Sequence, residues 1–183
     1  QKAVLIEEYC KNNKIPVVLP ITLITTSSIQ HANEVKEMVS NKDFFDGYYK
    51  DKTLVVTSES EVDSIHQLLR VEEPFPINKN EIVIHVDKLK EGWDVRNVYT
   101  IIPFRASISP TLIEQTIGRG LRLPFGELTG IEALDSLDII SHDNYAKMLS
   151  VAHDVAEGIE VKAATKRDEL KVVEIEPTKN KKL

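Results

Sequence analysis

Short apolar runs rich in Val, Ile, Leu and Thr recur along the chain, with helix-forming stretches between them. They are IPVVLPITLIT at 15–25, TLVVT at 53–57, EIVIHV at 81–86, VYTIIPF at 98–104 and LDII at 137–140. Apolar runs of this kind belong to strands buried on both faces. Strands that alternate with helices build βαβ units, so the pattern predicts an α/β fold: a parallel sheet covered by helices. Pro16 and Pro20 complicate the start of the first run, because proline donates nothing to a ladder. In such sheets the working groups gather at the carboxyl ends of the strands. Thr25, Thr57, residues 87–94 and Arg105 all fall at or just past those ends.

The stretches between the runs fill in the frame. Residues 1–12 read as a short helix with Val4, Leu5 and Tyr9 on one side. Ser27 with Gln30 forms a capping box that opens a helix, and Ser58 with Glu61 opens another running to about residue 70. Residues 41–52 form a polar loop whose Phe44, Phe45, Tyr48 and Tyr49 pack over a strand edge. Residues 142–157 suit an amphipathic helix. The organisation expected is a tail or linker at 1–14, one domain at 15–158, and a linker or the start of a further domain at 159–183.

The stretch with most chemistry is SPTLIEQTIGRGLRLP at 109–124. Ser109 is an N-cap, Pro110 suits the first helical position, and Pro124 closes the helix. Gln115, Arg119 and Arg122 share one side at i, i+4, i+7, and Ile113, Ile117 and Leu121 the other. Gly118 and Gly120 flank Arg119, although glycine costs a helix on the order of 1 kcal/mol against alanine. Two glycines together suit a close approach to the backbone or an irregular helix. A guanidinium fork binds phosphate oxygens bidentately, as an arginine finger does. A surface helix with solvated arginines is the plainer reading of the same residues.

The run Gln115–Arg122 resembles motif VI of superfamily 2 helicases and translocases, and LKEGWDV at 89–95 resembles their motif V. LKEGWDVRNV followed by EQTIGRGLRLP is most similar to the Res subunits of type III restriction-modification enzymes. The resemblance spans residues 15–158, and its specific part is 84–124. It implies a RecA-like, P-loop NTPase-like parallel sheet flanked by helices, serving as a second helicase domain without its own P-loop. It also implies that Arg119, Arg122 and Gln115 act at a nucleotide's phosphates. Gly92, Asp94 and Gly118 would lie against that nucleotide, and Thr25, Thr26, Ser27, Lys88 and Lys90 against a nucleic-acid backbone. Each has a plainer use: Asp94 in an Asx turn, the hydroxyls as caps, the lysines as solvated charges, Trp93 in packing.

What is missing shapes the mechanism. No G-x-x-x-x-G-K-[ST] occurs, and no Asp-Glu box of the Walker B kind is expected to follow a strand: the one such pair, Asp168-Glu169, comes after a charged run. The chain carries the arginine side of an ATPase site without the lysine and metal side. The expectation is the C-terminal motor domain of an ATP-dependent DNA translocase, inactive when isolated. ATP and Mg2+ would be held mainly by a first RecA-like domain of the same polypeptide. Double-stranded DNA and a modification methyltransferase subunit are the further partners implied. The alternatives are a superfamily 2 helicase without nuclease and a non-catalytic protein-contact module.

Composition closes other routes. A net charge of −6 argues against a purely electrostatic nucleic-acid binder. Cys10 is the single cysteine, so no disulfide framework exists, and a reducing, cytoplasmic setting is expected. No apolar run spans a membrane. His31, His66, His85, His142 and His153 lack ligand spacing, so no metal site is expected. Glu160-Val161-Lys162 and Glu169-Leu170-Lys171 match only the short half of a nuclease pattern that chance often produces.

Overall fold

The computed structural model describes residues 2–86, 95–104, 124–141, 159–167 and 170–177. The predicted helix at 109–124, the turn at 87–95 and the helix at 142–157 lie wholly or mostly outside the described residues. The elements are α1 (Lys2–Asn13), β1 (Ile21–Thr26), α2 (Ile29–Ser40), β2 (Thr53–Val56), α3 (Val62–Leu69) and β3 (Ile82–Val86). They continue with β4 (Val98–Pro103), the single helical turn α4 (Glu132–Asp135), β5 (Leu137–Ser141), β6 (Ile159–Arg167) and β7 (Leu170–Pro177).

One sheet runs in the order β2-β3-β1-β4-β5-β7-β6. The first five strands are parallel, as the apolar runs predict. β7 joins β5 antiparallel, and β6 pairs with β7 as a hairpin. The charged, partly strand-like stretch after residue 158 thus continues the same sheet.

β1 starts at Ile21, later than the run at 15–25 suggests. Pro16 and Pro20 cannot donate to a ladder, and Val17 instead offers its carbonyl to the Phe75 amide at 2.9 Å. Ile21 then bonds the Asn97 carbonyl at 2.8 Å. The Asn97 side-chain amide holds the Leu19 and Val71 carbonyls at 2.9 and 2.8 Å, so one buried residue ties β1's entry to the chain after α3.

The two faces of the sheet are covered differently. On one face Ile24, Ile82, Ile84 and Val86 pack with Ala32, Val35 and Val39 of α2. Phe44 and Tyr49 close over this cluster as expected, while Phe45 and Tyr48 stand exposed. Each large aliphatic buried here contributes about 1.5–3 kcal/mol. On the other face α1 seats Ile6 and Cys10 against Tyr99 and Leu134. The buried pair on α1 is therefore Ile6 and Cys10; Val4 is exposed, and Leu5 and Tyr9 are only half-buried. Lys2 fastens α1 to β5, bonding the Ser136 carbonyl at 2.9 Å and the Asp138 carboxylate at 3.1 Å.

Candidate functional site

The chain's path through the sheet sets where a site can form. From β1 the chain passes through α2 to β2 at the edge, then returns through α3 to β3 beside β1. It next crosses over β1 to β4 and moves on outward to β5. The connections leaving β1 and β4 therefore diverge, which makes the carboxyl ends of these neighbours the switch point of the sheet. The described strand ends beside this point are those from which the predicted segments start. Residues 87–94 follow β3, residues 105–123 follow β4, and Thr25–Ser28 ends the strand between them.

The end of β1 is well defined. Thr25 pairs in register with His85 on one side and Pro103 on the other. Thr25 is 4% exposed, and its hydroxyl has no hydrogen-bond partner among the described residues. Thr26 is 1% exposed and donates its hydroxyl to the His85 carbonyl at 3.1 Å. That bond keeps Thr26 in the strand, and the helix starts one residue later than the capping box at Ser27 and Gln30 predicts. Ser28 is the N-cap: its extended backbone turns the chain, and its hydroxyl accepts from the His31 amide at 3.1 Å. Gln30 bonds Glu34 instead. Ser27 is exposed at the rim, with its hydroxyl 3.4 Å from His31 Nδ1. The remaining first-turn amides of α2 point toward the same rim, as at any helix start.

The second cap also shifts. Ser60, rather than Ser58, bonds back, its hydroxyl accepting from the Thr57 amide at 2.6 Å. The Glu59 amide donates to the Thr57 hydroxyl at 3.2 Å. This clasp consumes the residues that would open the helix, so α3 begins at Val62, with Glu61 at the cap position and no side-chain bond.

Of the residues singled out from the sequence, Thr25, Thr26 and Ser27 are described. Gly92, Asp94, Lys88, Lys90, Gln115, Gly118, Arg119 and Arg122 lie outside the described residues, as does Arg105. Sequence reasoning passed over Phe104, which follows β4 at the rim. Its amide donates to the Thr25 carbonyl at 2.9 Å, and its ring lies 5.7 Å from that of His31. The sequence places it as the last residue of the fourth apolar run, 98–104, which carries no signal of a site.

The shifted titrations lie elsewhere. Burial pushes the Tyr99 phenol up, with Cys10, Asp135 and Tyr9 adding to the effect. Burial likewise raises the Cys10 thiol. At the opposite end of β2 and β3, burial alone would lower the Lys52 ammonium. Bonds to Glu81, at 2.6 Å, and to Tyr48 outweigh it and leave the value raised. Among the described residues no group of three His, Cys, Asp or Glu could hold a metal ion, and no helix is long and apolar enough to cross a membrane.

No protein-family model matches the chain. It is 31% identical over 107 residues to the Res subunit of the type III restriction-modification enzyme EcoP15I of Escherichia coli, covering 57% of this chain and 11% of that one. It is 54% identical over 39 residues to the EcoPI Res subunit of Escherichia phage P1, covering 21% of this chain and 4% of that one. The chain thus spans about a tenth or less of the curated relatives it matches. Among solved structures, the S. cerevisiae Dbp5 C-terminal domain, bound to Gle1 and IP6, covers 85% of this chain and 79% of its own at 13% identity, with a TM-score of 0.48. Mss116p DEAD-box helicase domain 2, bound to an RNA duplex, covers 66% of this chain and 43% of its own at 14% identity, with a TM-score of 0.44.

The class follows from the sheet: an α/β domain whose first five strands run parallel between flanking helices. Within that class, the relatives it is similar to are type III Res subunits.

Proposed function

We propose that this domain is the C-terminal motor domain of an ATP-dependent DNA translocase, the Res subunit of a type III restriction endonuclease. The observation that supports the reading is the strand order β3-β1-β4, which sets the carboxyl ends of these three strands side by side. It brings the starts of 87–94 and 105–123 to either side of the Thr25–Ser28 turn. Both resembling segments thus start next to the switch point of the sheet, where such folds bind ligands.

In this reading Arg119 and Arg122 present guanidinium forks to the γ-phosphate of a nucleotide held across the cleft, and Gln115 orients the attacking water. Gly92 and Gly118 let backbone approach the nucleotide, and Asp94 accepts from its ribose. Lys88 and Lys90 meet DNA phosphates, with Ser27 offering an exposed hydroxyl beside them. Thr25 and Thr26, both buried, shape the turn that presents it. The described residues do not fit the rest of the cofactor's needs: they hold no metal-binding cluster, and the sequence has no P-loop. ATP and Mg2+ are therefore assigned to a first RecA-like domain of the same polypeptide, where the metal would neutralise phosphate charge. Double-stranded DNA is the track, a methyltransferase subunit is the modification partner, and the setting is cytoplasmic.

The test is complementation. This chain alone should hydrolyse ATP at no more than background, and adding the first domain in trans with duplex DNA should restore turnover. Brisk turnover by this chain alone would overturn the division of labour.

A further inference from the structure

We propose that the tip Phe75-Pro76-Ile77, with the exposed side of α3 that leads to it, is a docking surface for a basic, amphipathic segment of a partner protein. Residues 71–80 join α3 to β3, and the ends of this loop are held together. The side-chain amide of buried Asn78 donates to the Val71 carbonyl at 2.9 Å and to the Asn80 carbonyl at 3.2 Å. The Asn80 amide donates back to Asn78 Oδ1 at 3.0 Å. The Phe75 amide bonds the Val17 carbonyl at 2.9 Å, and the Ile77 and Asn78 amides reach the Pro74 carbonyl at 2.9 and 3.3 Å. Pro74 and Pro76 restrict the backbone between these bonds. On this pinned frame Phe75 is 57% and Ile77 58% exposed, and Pro76 between them is exposed too. Val62 and Leu69, at i and i+7 on one side of α3, are each 65% exposed.

Single exposed apolar residues need no explanation, but adjacent ones on a fixed loop mark a contact surface. The bonds that hold the loop use backbone atoms and Asn78, so they do not require Phe75 or Ile77 to be apolar. An aromatic and a branched side chain already held in place lower the ordering cost of binding, and aromatics are enriched at interface centres. The surrounding charge selects the occupant. Glu72 is taken up by Arg96, whose amide and Nε lie 2.6 and 3.4 Å from its Oε1. Along α3 and the loop, Glu59, Glu61, Asp63 and Glu73 then stand against Arg70 and Lys79. A nucleic acid or an anionic membrane would set phosphates against these carboxylates. A two-fold contact with a second copy would set the carboxylates against themselves. A segment with lysines or arginines around large apolar side chains fits both the tip and its charge. The loop lies at the amino ends of β1 and β3, away from the switch point. Partner and nucleotide therefore do not compete, a point that alone rests on the functional reading above.

The experiment pans displayed random peptides on the full-length polypeptide after depleting them on its Phe75→Ser variant. The peptides that remain should carry Lys or Arg among large apolar residues. One of them, labelled and followed by fluorescence anisotropy, should bind Ile77→Ser roughly tenfold more weakly than wild type. Glu73→Lys should weaken it roughly threefold at low salt and little at high salt, as a rim charge does. Bound peptide should slow hydrogen exchange at residues 69–80. Both serine variants keep every backbone bond of the loop, so their melting temperatures should match wild type. The proposal is overturned if no peptide survives depletion, if the survivors are acidic, or if Ile77→Ser binds as tightly as wild type. It is overturned equally if another occupant already covers the tip. Self-association abolished by Phe75→Ser would assign it to a second copy. Exchange at 69–80 that is slow before peptide is added would assign it to another part of the same polypeptide, and exchange slowed by duplex DNA to nucleic acid. Peptide binding is read without ATP, so an Arg119→Ala variant with full activity would sink the functional reading and leave this surface standing.

Discussion

Replacing Tyr99 by phenylalanine removes one oxygen from the face packed between α1 and β4. Tyr99 is 3% exposed among Ile6, Cys10 and Leu134, and its hydroxyl has no hydrogen-bond partner among the described residues. A buried hydroxyl without a partner carries a desolvation cost of about 1–3 kcal/mol. At neutral pH, Tyr99→Phe should therefore leave stability unchanged or raise it by about 1 kcal/mol. Alkaline pH separates the two proteins further. Burial, then the nearby Cys10, Asp135 and Tyr9, raises this phenol above its ordinary value of 10.0. Above that value the unfolded chain releases the proton and the native chain keeps it, so the unfolded state binds one proton fewer. Wild-type stability then falls by about 1.4 kcal/mol per pH unit from this group alone. The contribution is fully present below the unfolded value and is lost as pH rises toward the folded one. The variant lacks this slope, while Tyr49, also raised by burial and outside this cluster, acts equally in both proteins. Urea unfolding followed by circular dichroism at a series of pH values up to about 11.5 reads the difference. Parallel curves above the ordinary tyrosine range would refute the burial argument. A loss of more than about 1 kcal/mol at neutral pH would show that the hydroxyl is bonded after all.

Two substitutions test the frame that carries the rim. Asn97→Ala removes both amide bonds to the Leu19 and Val71 carbonyls and should cost about 2–4 kcal/mol in urea unfolding, with the midpoint shifted and the m-value unchanged. Ser28→Ala removes the cap from the His31 amide and should cost about 1 kcal/mol, with faster hydrogen exchange in the first turn of α2; a matching loss from Ser27→Ala would contradict the observed cap.

Strands bounded by polar turns were legible: TLVVT, EIVIHV and VYTIIPF became β2, β3 and β4 nearly to the residue. The parallel arrangement followed from their apolar character. β1 was less legible, because IPVVLP is as apolar as a strand but its prolines cannot complete a ladder. Both caps slipped because a neighbouring hydroxyl, Ser28 for Ser27 and Ser60 for Ser58, makes the bond that turns the chain. Thr26 bonds the His85 carbonyl across strands, and Ser60 folds back on Thr57. The hairpin of β6 and β7 was hidden for a different reason. Local alternation does not reveal which distant strand will accept a pair, and here it is β5. The rim's position was legible from topology, whereas the meeting of His31 and Phe104 depends on packing between elements 73 residues apart by number (104 − 31 = 73).

The central claim is that Arg119 and Arg122 complete a triphosphate site held by another domain. Its most direct test is single-turnover ATP hydrolysis by the full-length polypeptide on duplex DNA, comparing wild type with Arg119→Ala and Arg122→Ala. The account predicts a loss on the order of 10³-fold in the hydrolysis step, with ATP affinity changed only a few-fold. Hydrolysis by both variants at the wild-type rate would contradict it.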